Sequence, residues 1–521
     1  MPDARTFIDE DFVVVKTDSG TKFTLWFGDE IVVLGKQGGR TRVRVLGLGS
    51  GPFEGTVKGT PKTRPRGLLS VSMVDVQQGD GLILETPDGK IVFIDGGDNK
   101  LFARHAAARY RHRQSTNDTP LEIDAIVVTH GDADHFKGLN VLRKTETDKK
   151  TGDHQRLFIH PKRIYHNGLV KAPGKLPDVE MFGETATLDD GRLGIVALYD
   201  DPRKAPKALQ NAPFKAWNAS INHWEKRGPI TLKRIAHGDK EDELFDFLKE
   251  EGIKVELQGP FPHSVNVDGE SRDALPFLKK PKKSAEMHLD DDTLNTTSLS
   301  ASHTINGHSI SFRLTFGNVR FNLTGDLNRE SMQLMRENLG STRQLRSEIV
   351  KAPHHGSHDF DFGALKAMAP VVSIISSGDE HAGKEHIHPR ATLMAALGKV
   401  NRGNTGIIFS TELAAFFAVR KYAHTRKDLA AFFRARKDSH FTGKELAELF
   451  REEKPPVGSP LRNMTFFSFE RTNFGIIHIR TDGERVLAFT HSGKKGLNEA
   501  YRFTVDSRHR IKFAKKVKIR T

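Results

Sequence analysis

The most constraining feature of this sequence is a junction. The apolar run EIDAIVVT, residues 122–129, leads directly into His130-Gly131-Asp132-Ala133-Asp134-His135. A continuous apolar run of this length and β-branched content reads as a buried strand. The turn that ends it carries four side chains able to bind a cation. Alternate residues at a strand end address neighbouring points, so His130 and Asp132 can face one cation while Asp134 and His135 face a second. Two cations a few ångströms apart can share one water between them.

The rest of the composition narrows the chemistry. Cysteine is absent from all 521 residues, whereas histidine occurs 24 times. Disulfide frameworks, thiolate nucleophiles and cysteine-bound zinc are excluded together. Any transition metal must be held by imidazole nitrogen and carboxylate oxygen. That mixture moves preference toward Mn²⁺ or Mg²⁺ and keeps Zn²⁺ in range. Lys and Arg number 80 against 66 Asp and Glu, a formal charge of +14. The excess favours an anionic partner, nucleic acid before an acidic membrane surface. Hydrophobic residues at 37 % and charged residues at 28 % allow a packed core. The first residues, MPDARTFIDEDF, have neither a basic nor an apolar leader segment, and no window is apolar over about 18 residues. A soluble, cytoplasmic protein with no membrane partner is expected.

Along the chain, residues 1–60 alternate short apolar runs with DSG, GDE and KQGGR turns, which predicts a small SH3-like β-barrel of about five strands. The stretch KGTPKTRPRG has the composition of a linker. Strands follow from Leu68, then a basic helix over FARHAAARYRHR. Residues 145–250 are mixed and are expected to form an insertion. HSISFRLTFGNVRFNLTGD predicts a hairpin. Residues 412–462 carry helical spacing and a capping signal at Thr442. Residues 463–521 return to strands and end in a basic tail.

Further motifs occur in a fixed order. Val74-Asp75-Val76-Gln77-Gln78-Gly79-Asp80, Ile94-Asp95-Gly96-Gly97, the HGDADH turn followed by Gly138, Leu323-Thr324-Gly325-Asp326, His354-His355-Gly356-Ser357 and His386-Ile387-His388-Pro389 precede Gly475-Ile476-Ile477 and Thr481-Asp482-Gly483. The series resembles the metallo-β-lactamase fold, and within it the hydrolase domain of the ComEC competence proteins. Asp132 stands where the HxHxDH signature of that fold has its second His, and Gln77 stands where the DVGQGD segment has Gly. The resemblance implies an α/β architecture, an αββα sandwich with two metals at its strand-end edge. The core would be 68–411, completed by strands of 463–521, with the barrel and the 412–462 helices outside it.

The implied ligands are His130 and Asp132 for one cation, Asp134, His135 and His355 for the other, and Asp326 between them. His308 is the candidate for the remaining ligand of the first site. Asp95, Asp80 and His386 are expected to orient ligands from behind. Asp134, His354 and His388 are the catalytic candidates: His354 toward a substrate oxyanion, His386 or His388 toward the leaving group. Arg104 and Arg109 on the basic helix, with Lys515, Lys516 and Lys518 on the tail, are candidate phosphate contacts.

The expected function is a metal-dependent nuclease that cleaves phosphodiester bonds, most readily of DNA, with a defence role and a regulatory protein bound through the barrel or the helical insertion. Two alternatives accompany it. One is a phosphodiesterase or esterase of a small nucleotide or phospho-ester. The other is a non-catalytic binding protein, against which the intact ligand set argues.

Overall fold

In the computed structural model, the apolar runs after residue 68 become strands whose alternate side chains enter two different cores. Leu82, Leu84, Val92, Ile94, Ala125 and Val127 pack in one cluster. Ile83, Ile91, Phe93, Ile126 and Val128 pack in another. This period of two, buried on both faces, is why the strands read as unbroken apolar runs. The structure describes residues 5–47, 51–148, 152, 155–174, 176–281, 296–378, 388–402, 406–413, 472–473, 475–491, 498–514 and 517.

Two sheets share the first cluster. One has ten strands, in the order Thr231–Arg234, Arg163–His166, Ala125–Val128, Ile91–Asp95, Gly81–Glu85, Leu69–Met73, Ile476–Thr481, Arg485–His491, Ala500–Val505 and Ile511–Phe513. The other has six, Ile253–Gly259, Ser311–Phe316, Val319–Leu323, Ile349–Lys351, Val372–Ile375 and Ile407–Ser410. Helices Leu101–Tyr110, Ala133–Thr147 and Ala212–Trp224 cover the outer face of the first sheet through the second cluster. Helices Arg329–Leu339, Phe362–Met368 and Ala391–Val400 cover the outer face of the second sheet. Thus helices, sheet, sheet and helices follow one another in space. The hairpin expected over 308–326 forms, with Phe316 paired to Val319.

One expectation, the closed N-terminal barrel, is corrected. The N-terminal strands make one curled seven-stranded sheet whose edge strands, Lys22–Trp26 and Thr63–Arg64, do not pair with each other, so it is a half-barrel. Its inner face is too small to close alone, and it leans on the core instead: Trp26 stacks on Phe489 at 4.2 Å, and Arg480 donates to Asp29 at 2.7 Å. Within residues 145–250, Arg163–His166 and Thr231–Arg234 extend the ten-stranded sheet in parallel. The added layer is a four-stranded sheet built from Thr185–Thr187, Leu193–Ile195, His263–Val267 and Glu270–Pro276. Residues 414–462, most of the expected helical insertion, lie outside the described residues.

Candidate metal centre

The parallel strands Ile91–Asp95 and Ala125–Val128 end side by side, and their carboxyl ends form the floor of the centre. Asp95 closes this floor. Its Oδ1 accepts the Thr129 backbone N–H at 2.8 Å, and its Oδ2 accepts the Thr129 hydroxyl at 2.7 Å. The same Oδ2 lies 2.8 Å from His135 Nδ1. Asp95 therefore does more than end a strand: it ties the turn together and aims the His135 ring from behind.

Helix Ala133–Thr147 starts inside the ligand turn, with Asp132 at its N-cap. Two close approaches require glycine. A Cβ on Gly79 would lie 1.7 Å from the Asp134 carbonyl oxygen, and one on Gly138 would lie 1.9 Å from that of Gly96. The backbone at Gln77 keeps φ 66°, a left-handed conformation that glycine adopts more cheaply. The resemblance that expects glycine at this position reflects that geometry.

The second sheet brings the other half. Asp326 follows strand Val319–Leu323, and His354 and His355 follow strand Ile349–Lys351. Both histidines have positive φ, 45° and 52°. Such backbone is costly for non-glycine residues and persists where surrounding contacts hold it.

Asp326 Oδ2 lies 2.8 Å from His355 Nε2, 3.3 Å from His135 Nε2 and 3.9 Å from His354 Nε2. Asp134 Oδ2 lies 3.9 Å from His355 Nε2. The rings of His130 and His135 are 3.9 Å apart. Four sets of expected ligands and orienting carboxylates bring their ligand atoms within 4.8 Å of one another: His130, His135 and Asp326; Asp134, His135 and His355; Asp80, Asp326 and His355; Asp80, Asp95 and His135.

Asp80 mirrors Asp95, facing His355 Nδ1 at 3.3 Å. It also pairs with Lys351, a lysine only 1 % exposed, whose Nζ donates to the Gly325 carbonyl at 2.7 Å.

The electrostatics divide the histidines. Burial works against charge on His135, yet Asp326 and Asp95 outweigh it and hold the ring well above its ordinary pKa. Burial likewise opposes charge on His355, but Asp326 and Asp80 raise it to about 9. For Asp326 burial works against ionisation, and His355, His135 and Lys351 overcome it, keeping the carboxylate ionised. His130 goes the other way: burial, then the neighbouring His135, pushes it well below its ordinary value. Burial lowers His354 to about 4, so it is neutral at pH 7. Burial raises Asp134 and Asp95.

This donor set fits divalent cations. His135 Nε2 and His355 Nε2 are buried without a hydrogen-bond partner, although both point at Asp326. A proton and a cation compete for such lone pairs.

Two expected residues fall elsewhere. His308 turns away from the cluster, its Nε2 2.7 Å from the Pro276 carbonyl oxygen, because it ends helix Ala301–Gly307 on the side of the added sheet. Arg109 is not available to phosphate: its guanidinium is engaged by Glu85 beside Tyr110. Arg104 is exposed. The His388 ring is 5.9 Å from that of His354. His386, Lys515, Lys516 and Lys518 lie outside the described residues.

The sequence reading missed Lys351, Thr129 and Ser309. Lys351 had a visible signal, a charge at the end of the apolar strand IVK. Ser309 had none. Its Oγ accepts the Asp326 N–H at 2.9 Å and lies 3.2 Å from His130 Nδ1.

One family model matches part of the chain, residues 74–204. They match the metallo-beta-lactamase superfamily. Proteins of this superfamily are generally metal-dependent hydrolases. The matched segment contains Asp80, Asp95 and the whole ligand turn, whereas Asp326 and His355 join it from beyond. No curated protein matches the chain. Among the described residues no helix is long and apolar enough to cross a membrane.

Proposed function

We propose that this protein is a metal-dependent nuclease, cleaving phosphodiester bonds in nucleic acid, DNA foremost, in the manner its resemblance to the ComEC hydrolase domain implies. The observation that carries the reading is Asp326, whose Oδ2 lies between the Nε2 atoms of His135 and His355. His130 and Asp132 would hold one divalent cation, Asp134, His135 and His355 the other, and Asp326 both. Bound there, the cations supply Lewis acidity and draw the pKa of a water between them toward neutrality.

The chain's own residues do the rest. Asp95 and Asp80 fix the rings of His135 and His355 so that both Nε2 atoms face inward. Lys351 offsets the charge of Asp80 and Asp326 where water is excluded. His354, neutral at pH 7 and a quarter exposed beside Asp326, borders the space a phosphoryl oxygen would enter. His388, adjacent to it, is the group from which the leaving oxygen takes its proton. The charge of +14 supports a polyanionic substrate, with Arg104 as an exposed contact. A protein partner at the half-barrel belongs to the same proposal.

One observation favours a second reading, a small phosphodiester. Helix Ala301–Gly307 packs through Ala301 and Ile305 on the core of the added sheet, which walls one side of the centre. Linear, circular, single-stranded and double-stranded nucleic acids, and a small diester, are incubated with the protein under Mn²⁺, Mg²⁺ or Zn²⁺. The control is the double variant Asp134→Ala, His135→Ala. Metal-dependent cleavage of nucleic acid that the control lacks supports the nuclease. Turnover of the small diester alone transfers the centre to the second reading, and no turnover, or turnover that survives in the control, defeats both.

A further inference from the structure

We propose that Asn306 supplies a further protein ligand of the first cation site, its amide oxygen joining His130 Nε2, Asp132 Oδ2 and the shared Asp326. The proposal rests on the metal-centre reading above and assigns the position for which His308 is the expected residue.

Asn306 stands in the last turn of helix Ala301–Gly307. The Ser300 side chain caps the start of that helix, and the Asn306 carbonyl accepts the Ser309 hydroxyl at 2.7 Å. Its side chain is thereby held at the mouth of the ligand turn. Its amide oxygen meets three acceptors: Asp132 Oδ2 at 2.9 Å, His130 Nε2 at 3.3 Å and the Ser302 carbonyl oxygen at 3.3 Å. The amide nitrogen faces His354 Nε2 at 3.3 Å.

The protonation of His130 follows from its neighbours. Ser309 gives its hydroxyl proton to the Asn306 carbonyl, and Thr129 gives its own to Asp95. Each of these oxygens, 3.2 Å from His130 Nδ1, can therefore only accept from that nitrogen. The ring proton of a neutral His130 sits on Nδ1, and Nε2 presents a bare lone pair toward Asn306.

An oxygen, a carboxylate oxygen and an imidazole lone pair converging on one point repel one another. Two arrangements relieve this. Half a turn of the amide brings its nitrogen to the point as a donor, though its two protons then meet three acceptors. Alternatively, a cation is held among the three ligand atoms.

The spacing suits either arrangement, since 2.9 and 3.3 Å are amide hydrogen-bond lengths and also fit ligands around one cation, so the ion count decides between them. Ligands bound at about 2.1 Å lie about 3.0 Å apart at right angles and about 3.4 Å apart in a tetrahedron. The observed 2.9 and 3.3 Å fall at those edges. Asp132 belongs to none of the three-residue His and Asp clusters among the described residues, and the Asn306 amide is the group that contacts both it and His130.

The two sites then differ in character. Beside the shared Asp326, the first has a neutral imidazole, a neutral amide and one carboxylate, Asp132, which also pairs with Lys171 at 2.9 Å. The second has two imidazoles with the carboxylates of Asp134 and Asp326. The first cation is consequently the weaker, and its oxygen-rich set favours Mn²⁺ over Zn²⁺.

The test measures metal, not turnover. The purified full chain is stripped of metal, titrated with Mn²⁺, and its bound metal is counted by mass spectrometry, with circular dichroism confirming the fold. The expected wild-type result is two ions per chain with unequal affinity. Asn306→Ala should lose the weaker ion, its affinity falling by about 100-fold or more. Asn306→Asp keeps the oxygen, adds a charge and cannot donate, so it should retain both ions and tighten the weaker by about tenfold. Asn306→Ala with two ions at unchanged affinity overturns the proposal alone. Asn306→Asp losing the ion as Asn306→Ala does shows a donor role and overturns it too. A wild-type chain that binds no ion defeats the metal-centre reading itself, and this inference with it.

Discussion

His130 and His135 have rings 3.9 Å apart, yet the fold prepares them in opposite ways. His135 has a carboxylate at each nitrogen, Asp95 behind and Asp326 in front. His130 has only hydroxyls behind it, from Thr129 and Ser309. The His135 side of the centre is built for high charge density and tight binding. The His130 side is closer to neutral, and the one carboxylate it does not share with the other side, Asp132, pairs with Lys171. One strand-end turn thus feeds two environments, because its residues face two different sets of neighbours.

The sharpest way to break the comparison is to remove the residue both sides use. Asp326→Ala should lower metal-dependent turnover by about 10³-fold or more and reduce bound metal. Loss below tenfold, with metal content unchanged, would show that the two sides do not share Asp326. Lys351→Met comes next, leaving Asp80 and Asp326 buried without their counter-charge. The metal-free protein should lose about 3 kcal/mol in urea unfolding, part of it restored by Mn²⁺. Unchanged stability would mean that this cluster does not need the lysine.

A paired experiment then compares the groups behind the rings. Asp95→Ala should weaken the tighter ion about 10- to 100-fold, and Ser309→Ala should weaken the other by less than about tenfold. Equal losses in calorimetric titration would erase the distinction between carboxylate and hydroxyl support.

The smallest effect concerns acid. His478, in the central sheet, also has a hydroxyl partner, Ser72 at 2.9 Å, and burial holds its pKa well below 6.5. Below pH 6.5 the unfolded chain takes up a proton that the folded chain refuses, so stability falls as pH falls from 6.5. The slope is at most about 1.4 kcal/mol per pH unit. His478→Gln should flatten that slope in unfolding measured between pH 7 and 5, and an identical slope would remove His478 from the cause.

What was legible in the sequence is what local spacing encodes. The HGDADH turn, the LTGD and HHGS strings and the apolar runs each specify a strand end or a turn, and the structure gathers His130, Asp134, His135, Asp326 and His355 at one edge. Gly79 and Gly138 stood in the motifs, and the structure supplies the reason for them, a close backbone approach at each. Arg109 misled because a basic helix face looks solvated until Glu85, on a strand beneath it, takes the guanidinium. His308 misled because it stands two residues, about half a helical turn, beyond Asn306, so its side chain has swung to the other side of the helix.

The sequence by itself determined which ligands exist, that no thiolate takes part, and which strands must be buried on both faces. These follow from residue type and period, which need no partner. Tertiary structure alone decided that Asn306 and not His308 faces the first site, that Lys351 lies beside Asp326, and that the N-terminal sheet stays half open against Phe489. Each depends on which side chains converge from segments far apart in the chain, and such convergence has no periodicity to read.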